Sequence, residues 1–513
     1  MVVFSLLAHL VSLLVLFRGF AFAMCPMRCT CHEKKLIVNC KKAVLDVVPI
    51  TLNPELRELY LTHNQIKSIK ASFTFYTKLE FLDVSNNQLA ELGKKNFAVQ
   101  HNLRVLFVNQ NKINEVNNQT FVGLSSLQLL NLNENAVQSL PNNVFDSLSK
   151  LQKLDLSRNR ISHISADAFA GLSALKTLIL RENSLTVIPS AQFRHLTALV
   201  KLDLGHNVFN SIGESAFATL PTLEDLSLDK CQISSLHASS FLNVNQMRRL
   251  RLDENNLSEI PSDSLQQLKN LEELIIGRNK IASIEAFAFG GSPKLKVLDI
   301  RHDHQLSYID KDAFLGIPHL LKVILEFCPN VRHLHENTFD VQKRSLKYLS
   351  LRGNHIENVA HNLLNWQQLQ YIDVRGNPLT CNCSLLWLWE LLKQRNVSKE
   401  YKDELVCAEP ANFRGHRFLS LSLSEMACYE SKHTIITGSV IVAVVCALSS
   451  IVLSLWCRTK LFLLFRSKKY ETDLKEDLGY YEKGRIIDNQ VMFPQSTMIY
   501  IQTPIKCASI SQV

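Results

Sequence analysis

The sequence contains no glycine-rich phosphate loop, no HExxH pair and no GxSxG elbow. The first absence removes the backbone cradle for nucleotide phosphates. The second removes the paired histidines of a zinc peptidase, and the third the turn that exposes a hydrolase serine. Histidines cluster at His302 and His304 and at His333 and His335, but each is a pair rather than a ligand set and fits ordinary surface. No nucleic-acid-binding module is recognisable, although the formal net charge is +9. No enzyme, cofactor or nucleic-acid partner is expected.

Charge is missing in one further place. Thr434 to Cys457 are 24 residues without a formal charge, enough to cross a bilayer as a helix. Arg458, Lys460, Arg466, Lys468 and Lys469 follow, with only Lys432 close on the other side. The positive-inside rule puts the C-terminus in the cytoplasm, and anionic lipid head groups account for much of the local basic excess. Met1 to Ala23 is a second apolar run, closed by Ala21-Phe22-Ala23. Its n-region lacks lysine and arginine, and Arg18 interrupts its end, yet the small-x-small close fits a signal peptide cut before Met24. Both segments predict a single-pass plasma-membrane protein with its N-terminal part outside the cell.

What the chain has in abundance is one pattern. In LxxLDLxxN at Leu151 to Asn159, Leu154 and Leu156 flank one polar residue, the alternation of a strand with one buried face. The marker leucine recurs at Leu56, Leu79, Leu103, Leu127, Leu151, Leu175, Leu199, Leu223, Met247, Leu271, Leu295, Leu320, Leu346 and Leu369, a total of 14 units with a constant step of 24 from Leu79 to Leu295. A 20–29-residue period with LxxLxLxxN is the leucine-rich-repeat signature. It predicts an α/β solenoid, a curved parallel sheet backed by loops and short helical turns. The asparagines (Asn64, Asn87, Asn111, Asn135, Asn159, Asn183, Asn207, Asn255, Asn279, Asn354 and Asn377) carry donor and acceptor atoms for the turn after each strand. Cys231, Asp303 and Cys328 replace asparagine in three units. The two cysteines are expected to be reduced, because four repeats separate them, roughly 20 Å at sheet spacing. A phenylalanine series, Phe73, Phe97, Phe121, Phe145, Phe169, Phe193, Phe217, Phe241, Phe289, Phe314 and Phe339, keeps the same period and reads as an internal spine on the convex side.

A solenoid exposes two ends of its core and needs caps. Cys25, Cys29, Cys31 and Cys40 precede the repeats, and Cys381, Cys383, Cys407 and Cys428 follow them. Each group of four allows three full pairings. Disulfides suit an exported chain, and a four-cysteine zinc site is the rival reading. Leu385 to Leu392, with Trp387 and Trp389, is expected to begin a covering helix. The organisation is then signal peptide 1–23, N-terminal cap 24–55, repeats 56–379, C-terminal cap 380–430, transmembrane helix 434–457 and cytoplasmic tail 458–513.

Cys25 to Cys428 resembles the extracellular leucine-rich-repeat family, a horseshoe with disulfide caps at both ends. The resemblance implies Cys25–Cys31, Cys29–Cys40, Cys381–Cys407 and Cys383–Cys428. The 14 repeats, single span and short tail resemble insect neuronal recognition proteins of the Capricious and Tartan type. The adhesive repeats are also similar to those of Connectin and Chaoptin, whose lipid anchoring this basic-flanked span does not match. The resemblance implies a receptor or adhesion molecule that binds a protein outside the cell, either another copy or a different ectodomain. A co-receptor signalling through associated partners and a structural cell-coat glycoprotein are the alternatives.

The residues between and beside the strand leucines face away from the core, onto the concave side. In repeats 1 to 4 they include Tyr60, Phe81, Val105, Phe107 and Leu129, an exposed apolar group of the kind that marks protein contacts. Repeats 5 to 9 carry mixed charges, among them Arg181, Arg249 and Arg251 as binding candidates. Aspartates at Asp83, Asp155, Asp203, Asp299 and Asp373 share one column but read as solvated strand surface rather than an acid/base site. Asn118, Asn256, Asn382 and Asn396 lie in N-glycosylation sequons. The tail is too short for a kinase. Ser511-Gln512-Val513 ends it with the S-x-hydrophobic carboxylate preferred by PDZ modules, which add such a peptide as a strand.

Overall fold

A computed structural model describes the backbone of residues 25–426 and 428–478. The expected signal peptide, the residues beyond 478 and Ser511, Gln512 and Val513 lie outside the described residues. Two units, 1–428 and 429–513, are separately compact.

In the first unit each repeat contributes one three-residue strand, from Glu58–Tyr60 to Tyr371–Asp373, whose middle residue is buried. Such a strand cannot bury a face alone, so its stability comes from its neighbours. Fourteen repeat strands join Thr30–His32 and Ile37–Asn39 of the N-terminal cap in a 16-stranded sheet. The first pair is antiparallel and the later ones are parallel. Register is held without slip, with Leu59, Leu82, Leu106 and Leu130 opposite one another. Behind the sheet the phenylalanines form the spine, and seven neighbouring pairs lie near-parallel with centroids 5.0–6.4 Å apart. The result is the leucine-rich-repeat horseshoe.

Asn159 shows how successive repeats are wired. Its Nδ2 donates to the carbonyls of Leu132, Leu156 and Ser157 at 3.0–3.2 Å, and its Oδ1 accepts from the Val137 N–H at 3.0 Å. Leu132 and Val137 belong to the preceding repeat, so one side chain satisfies buried backbone groups of two units. The same donation to the preceding unit, the N-terminal cap for Asn64 and a repeat for the rest, is made by the other ten asparagines of the series. At the exceptions, Cys231 and Cys328 donate Sγ–H to the Leu204 and Ile300 carbonyls at 3.3 and 3.4 Å. Both thiols are free and buried, and burial pushes their pKa up to about 12.

Asp303 is different. It is completely buried, and neither carboxylate oxygen closes a hydrogen bond among the described residues. By the wiring of the ladder it stands where an amide would donate to Ile276 and Ile300. Burial pushes its carboxyl up to about 6, against a weaker downward pull from the N–H groups of Asn279, Ile281 and Gln305.

The residue before each ladder position turns the chain through the left-handed region. Twelve non-glycine residues from His63 to Phe327 do so with φ of 53–61°, and Gly353 and Gly376 complete the series at 70° and 69°. This conformation costs an ordinary residue about 1–2 kcal/mol; here the ladder bonds on either side hold it.

Disulfides Cys25–Cys31, Cys29–Cys40 and Cys381–Cys407 close the ends. Cys383 is also disulfide-bonded; the side chain of Cys428, its expected partner, lies outside the described set. The covering helix is Leu386–Gln394, which buries Leu388, Leu391 and Leu392. Trp387 packs 4.7 Å from Trp366, and Lys393 lies over the Trp389 ring at 4.0 Å. Glu404 ties this cap to the last repeats through Arg352 at 2.9 Å and Arg375 at 3.1 Å.

The second unit holds most of one helix, Cys428–Leu478. Its apolar stretch, long enough to cross a membrane, is Ser439–Leu464. This stretch overlaps the expected span 434–457. The helix runs on through Arg458 and Lys460 and adds the apolar residues Leu461 to Leu464. Lys460 Nζ folds back over the Trp456 ring at 4.5 Å, keeping its aliphatic stem against the helix.

Candidate functional site

The register places the predicted face side by side. Phe81, Val105 and Leu129 stand opposite one another in one column, with Glu58 before them. Tyr60, Asp83 and Phe107 form the adjacent column. The rings are in contact, with centroids 4.7 Å apart for Tyr60–Phe81 and 5.7 Å for Phe81–Phe107. All five candidate apolar residues are half-buried. The Tyr60 hydroxyl donates to Glu58 Oε2 at 3.0 Å. Burial, then that bond and the charges of Glu58 and Asp83, raise its pKa. Asp83 accepts from the N–H and hydroxyl of Ser85 at 2.9 and 2.6 Å.

Most charges of repeats 5 to 9 are met by opposite charges of the same chain. Arg158 bridges Glu134 and Glu182 of the flanking repeats at 2.9 and 3.2 Å. Arg249 and Lys201 both reach Asp225, at 3.2 and 3.0 Å, and Arg251 pairs with Asp253 at 3.4 Å. Arg181 skips a repeat to bind Asp229 with two bonds of 2.8 and 2.7 Å. It passes where repeat 7 carries Gly205; a Cβ there would lie 2.4 Å from Arg181 Nη1 and 2.6 Å from Asp229 Oδ1. Burial alone would raise the Asp229 carboxyl, but bonds from Arg181 and Ser227 hold it down to about 2. Arg181, Arg249 and Arg251 are thus each engaged by a carboxylate of the same chain.

A second aromatic group at the far end of the face was missed in the sequence. Tyr348 and Tyr371 are opposite in register, stacked at 4.2 Å, with Lys322 Nζ 4.5 Å above Tyr348. They occupy the column of Phe81, so extending that column to repeats 13 and 14 would have found them. His302 stacks on Phe327 at 4.8 Å, and no group of three or more metal-type side chains stands together among the described residues. Asn118, Asn382 and Asn396 are exposed. Asn256 is half-buried and donates to the Gln232 carbonyl at 3.3 Å.

Leucine-rich-repeat family models match much of the chain. One described as leucine rich repeat matches 77–137, 130–185 and 269–329, and a BspA-type leucine rich repeat region matches 162–296. Shorter repeat models match 54–97 and 342–360. Together they cover more than half of the sequence. Mouse oligodendrocyte-myelin glycoprotein is 36% identical over 69 residues, 14% of this chain and 16% of that protein. The chain spans about a sixth of the length of the curated relatives it matches. Among solved structures, Drosophila Toll in its complex with Spatzle superposes with TM-score 0.55 at 22% identity, covering 72% of this chain and 54% of that one. The LRIM1/APL1C complex gives 0.54 at 20% identity, covering 83% and 76%. At these identities the likeness is one of fold. With the register, the asparagine ladder and the repeat models in agreement, the chain belongs to the leucine-rich-repeat proteins.

Proposed function

We propose that this is a cell-surface recognition or adhesion protein that binds a protein partner through the concave face of repeats 1 to 4. The observation that carries the reading is the contiguous Tyr60–Phe81–Phe107 ring group beside Val105 and Leu129. Apolar side chains left in a row on a sheet face gain most when a partner covers them. Supporting it, the cap disulfides suit an oxidising compartment, and Ser439–Leu464 supplies a membrane anchor with basic residues on its C-terminal side. The same fold carries a protein partner in the Toll–Spatzle complex. The proposal extends to N-glycosylation at the four sequons, to a PDZ-type contact at Ser511 to Val513, and to a role like that of the Capricious and Tartan type.

Cells displaying the full chain, mixed with each other and with cells lacking it, test this. Aggregation or partner binding should be lost when Phe81 and Phe107 are both changed to alanine at equal surface level. Undiminished binding by that variant would sink the N-terminal face as the site.

A further inference from the structure

The face that we propose binds protein has a charge pattern that specifies what sort of protein. Each repeat presents four outward positions, at the two strand edges and the two residues before the ladder asparagine. In repeats 5 to 9 these positions hold seven basic and seven acidic residues, and ion pairs cross-link most of them. In repeats 1 to 4 they hold Glu58, Asp83 and Glu134 and neither lysine nor arginine. Yet the whole chain carries 56 Lys+Arg against 47 Asp+Glu. Glu134 is matched by Arg158. Glu58 and Asp83 pair with no cation among the described residues; their partners are the Tyr60 and Ser85 hydroxyls and the Ser85 N–H.

The two free carboxylates alternate with the rings. Glu58 stands opposite Phe81, and Asp83 stands between Tyr60 and Phe107. Neighbouring strands lie about 4.8 Å apart, so a flat cation laid on these rings reaches a carboxylate on either side. Aromatic faces attract guanidinium groups, and carboxylates accept from them in pairs. Val105 and Leu129 continue the surface with no polar group of their own to satisfy. A second copy meeting this patch with its own identical patch would oppose carboxylate to carboxylate.

We infer that repeats 1 to 4 receive a protein segment that lays an arginine over the Tyr60–Phe81–Phe107 rings, between Glu58 and Asp83, and sets an aliphatic side chain on Val105 and Leu129. The inference rests on the protein-binding reading above and adds the partner's chemistry to it.

The test uses the full chain in lipid nanodiscs and a random-peptide phage library as the probe. Peptides are selected on the wild-type chain and counter-screened on Phe81→Ala/Phe107→Ala. The enriched peptides should carry arginine beside aliphatic residues. Binding should weaken about tenfold on Glu58→Gln/Asp83→Asn, and likewise when citrulline replaces the arginine, since a partly desolvated cation–π and charge contact is of that size. Asparagine at Asp83 keeps the Oδ1 that accepts from Ser85, and an unchanged melting temperature verifies the fold. Acidic or neutral consensus peptides overturn the inference. So do peptides that need Phe81 and Phe107 but bind the charge-neutralised variant equally well, a result that leaves the protein-binding face standing. Peptides that ignore Phe81 and Phe107 overturn both.

Discussion

Replacing Asp303 by asparagine should stabilise the protein, strongly at neutral pH and weakly in acid. The buried carboxyl titrates at about 6 in the fold and at about 3.9 in an unfolded chain. Between those values the folded chain holds a proton that the unfolded chain has released. Stability therefore falls as pH rises, by about 1.4 kcal/mol per unit. Over about two units the cost reaches about 3 kcal/mol, present in full above the folded value and absent below the unfolded one. Asp303→Asn removes the charge and restores an amide aimed at the Ile276 and Ile300 carbonyls, each bond adding about 1 kcal/mol. The expected gain is about 3–5 kcal/mol near pH 7.5 and about 1–2 kcal/mol near pH 4. Urea denaturation of the two proteins at both pH values, disulfides intact, measures it. Hydrogen exchange across repeats 10 to 12 localises it. A gain of the same size at both pH values, or a loss at neutral pH, would refute the claim that an ionised Asp303 strains the ladder.

Three further outcomes follow from side chains already placed. Arg181→Ala strips the cation from Asp229, whose side chain is 5% exposed, and should cost about 3–5 kcal/mol in thermal or urea unfolding. The Asp229 carboxyl is held down to about 2, so about 2 kcal/mol of stability is present above about pH 4 and lost as pH falls toward 2; the variant should lack that acid limb. Gly205→Ala should damage the same pair, and its cost should not add to that of Arg181→Ala in a double-mutant cycle. Cys231 and Cys328, buried with thiols pushed up to about 12, should resist maleimide in the native protein and react once it is unfolded, as mass spectrometry of labelled peptides would report.

The charged middle of the face changes meaning once its partners are known. From the sequence, Arg181, Arg249 and Arg251 are cations available to a ligand. In the fold each is engaged by a carboxylate of its own or a nearby repeat. An exposed pair of this kind is worth little singly, but a ladder of them leaves this stretch balanced. Under the recognition role that we propose, contact then falls to the aromatic groups around Phe81 and around Tyr348 and Tyr371.

A constant step of 24 residues was enough to determine the solenoid, the asparagine ladder, the phenylalanine spine and the adjacency of Phe81, Val105 and Leu129. Each is a local pattern repeated without slip, and in-register stacking turns a fixed offset along the chain into a contact in space. Tyr348 and Tyr371 obey the same rule and were equally legible. The tertiary structure decided what the offset does not encode. Arg181 lies within ion-pair distance of Glu182 and Asp203, at 3.8 and 3.6 Å, but makes its shortest bonds to Asp229, two repeats away, because Gly205 leaves room. Asp303 becomes a strained acid because the stacked units close water out and leave neither oxygen a closed hydrogen bond. The left-handed turn before each ladder residue has no signature either, since histidine, glutamate, arginine, lysine and phenylalanine all adopt it. Periodicity belongs to the chain, whereas pairing, burial and proton affinity belong to distances that exist only after the repeats have stacked.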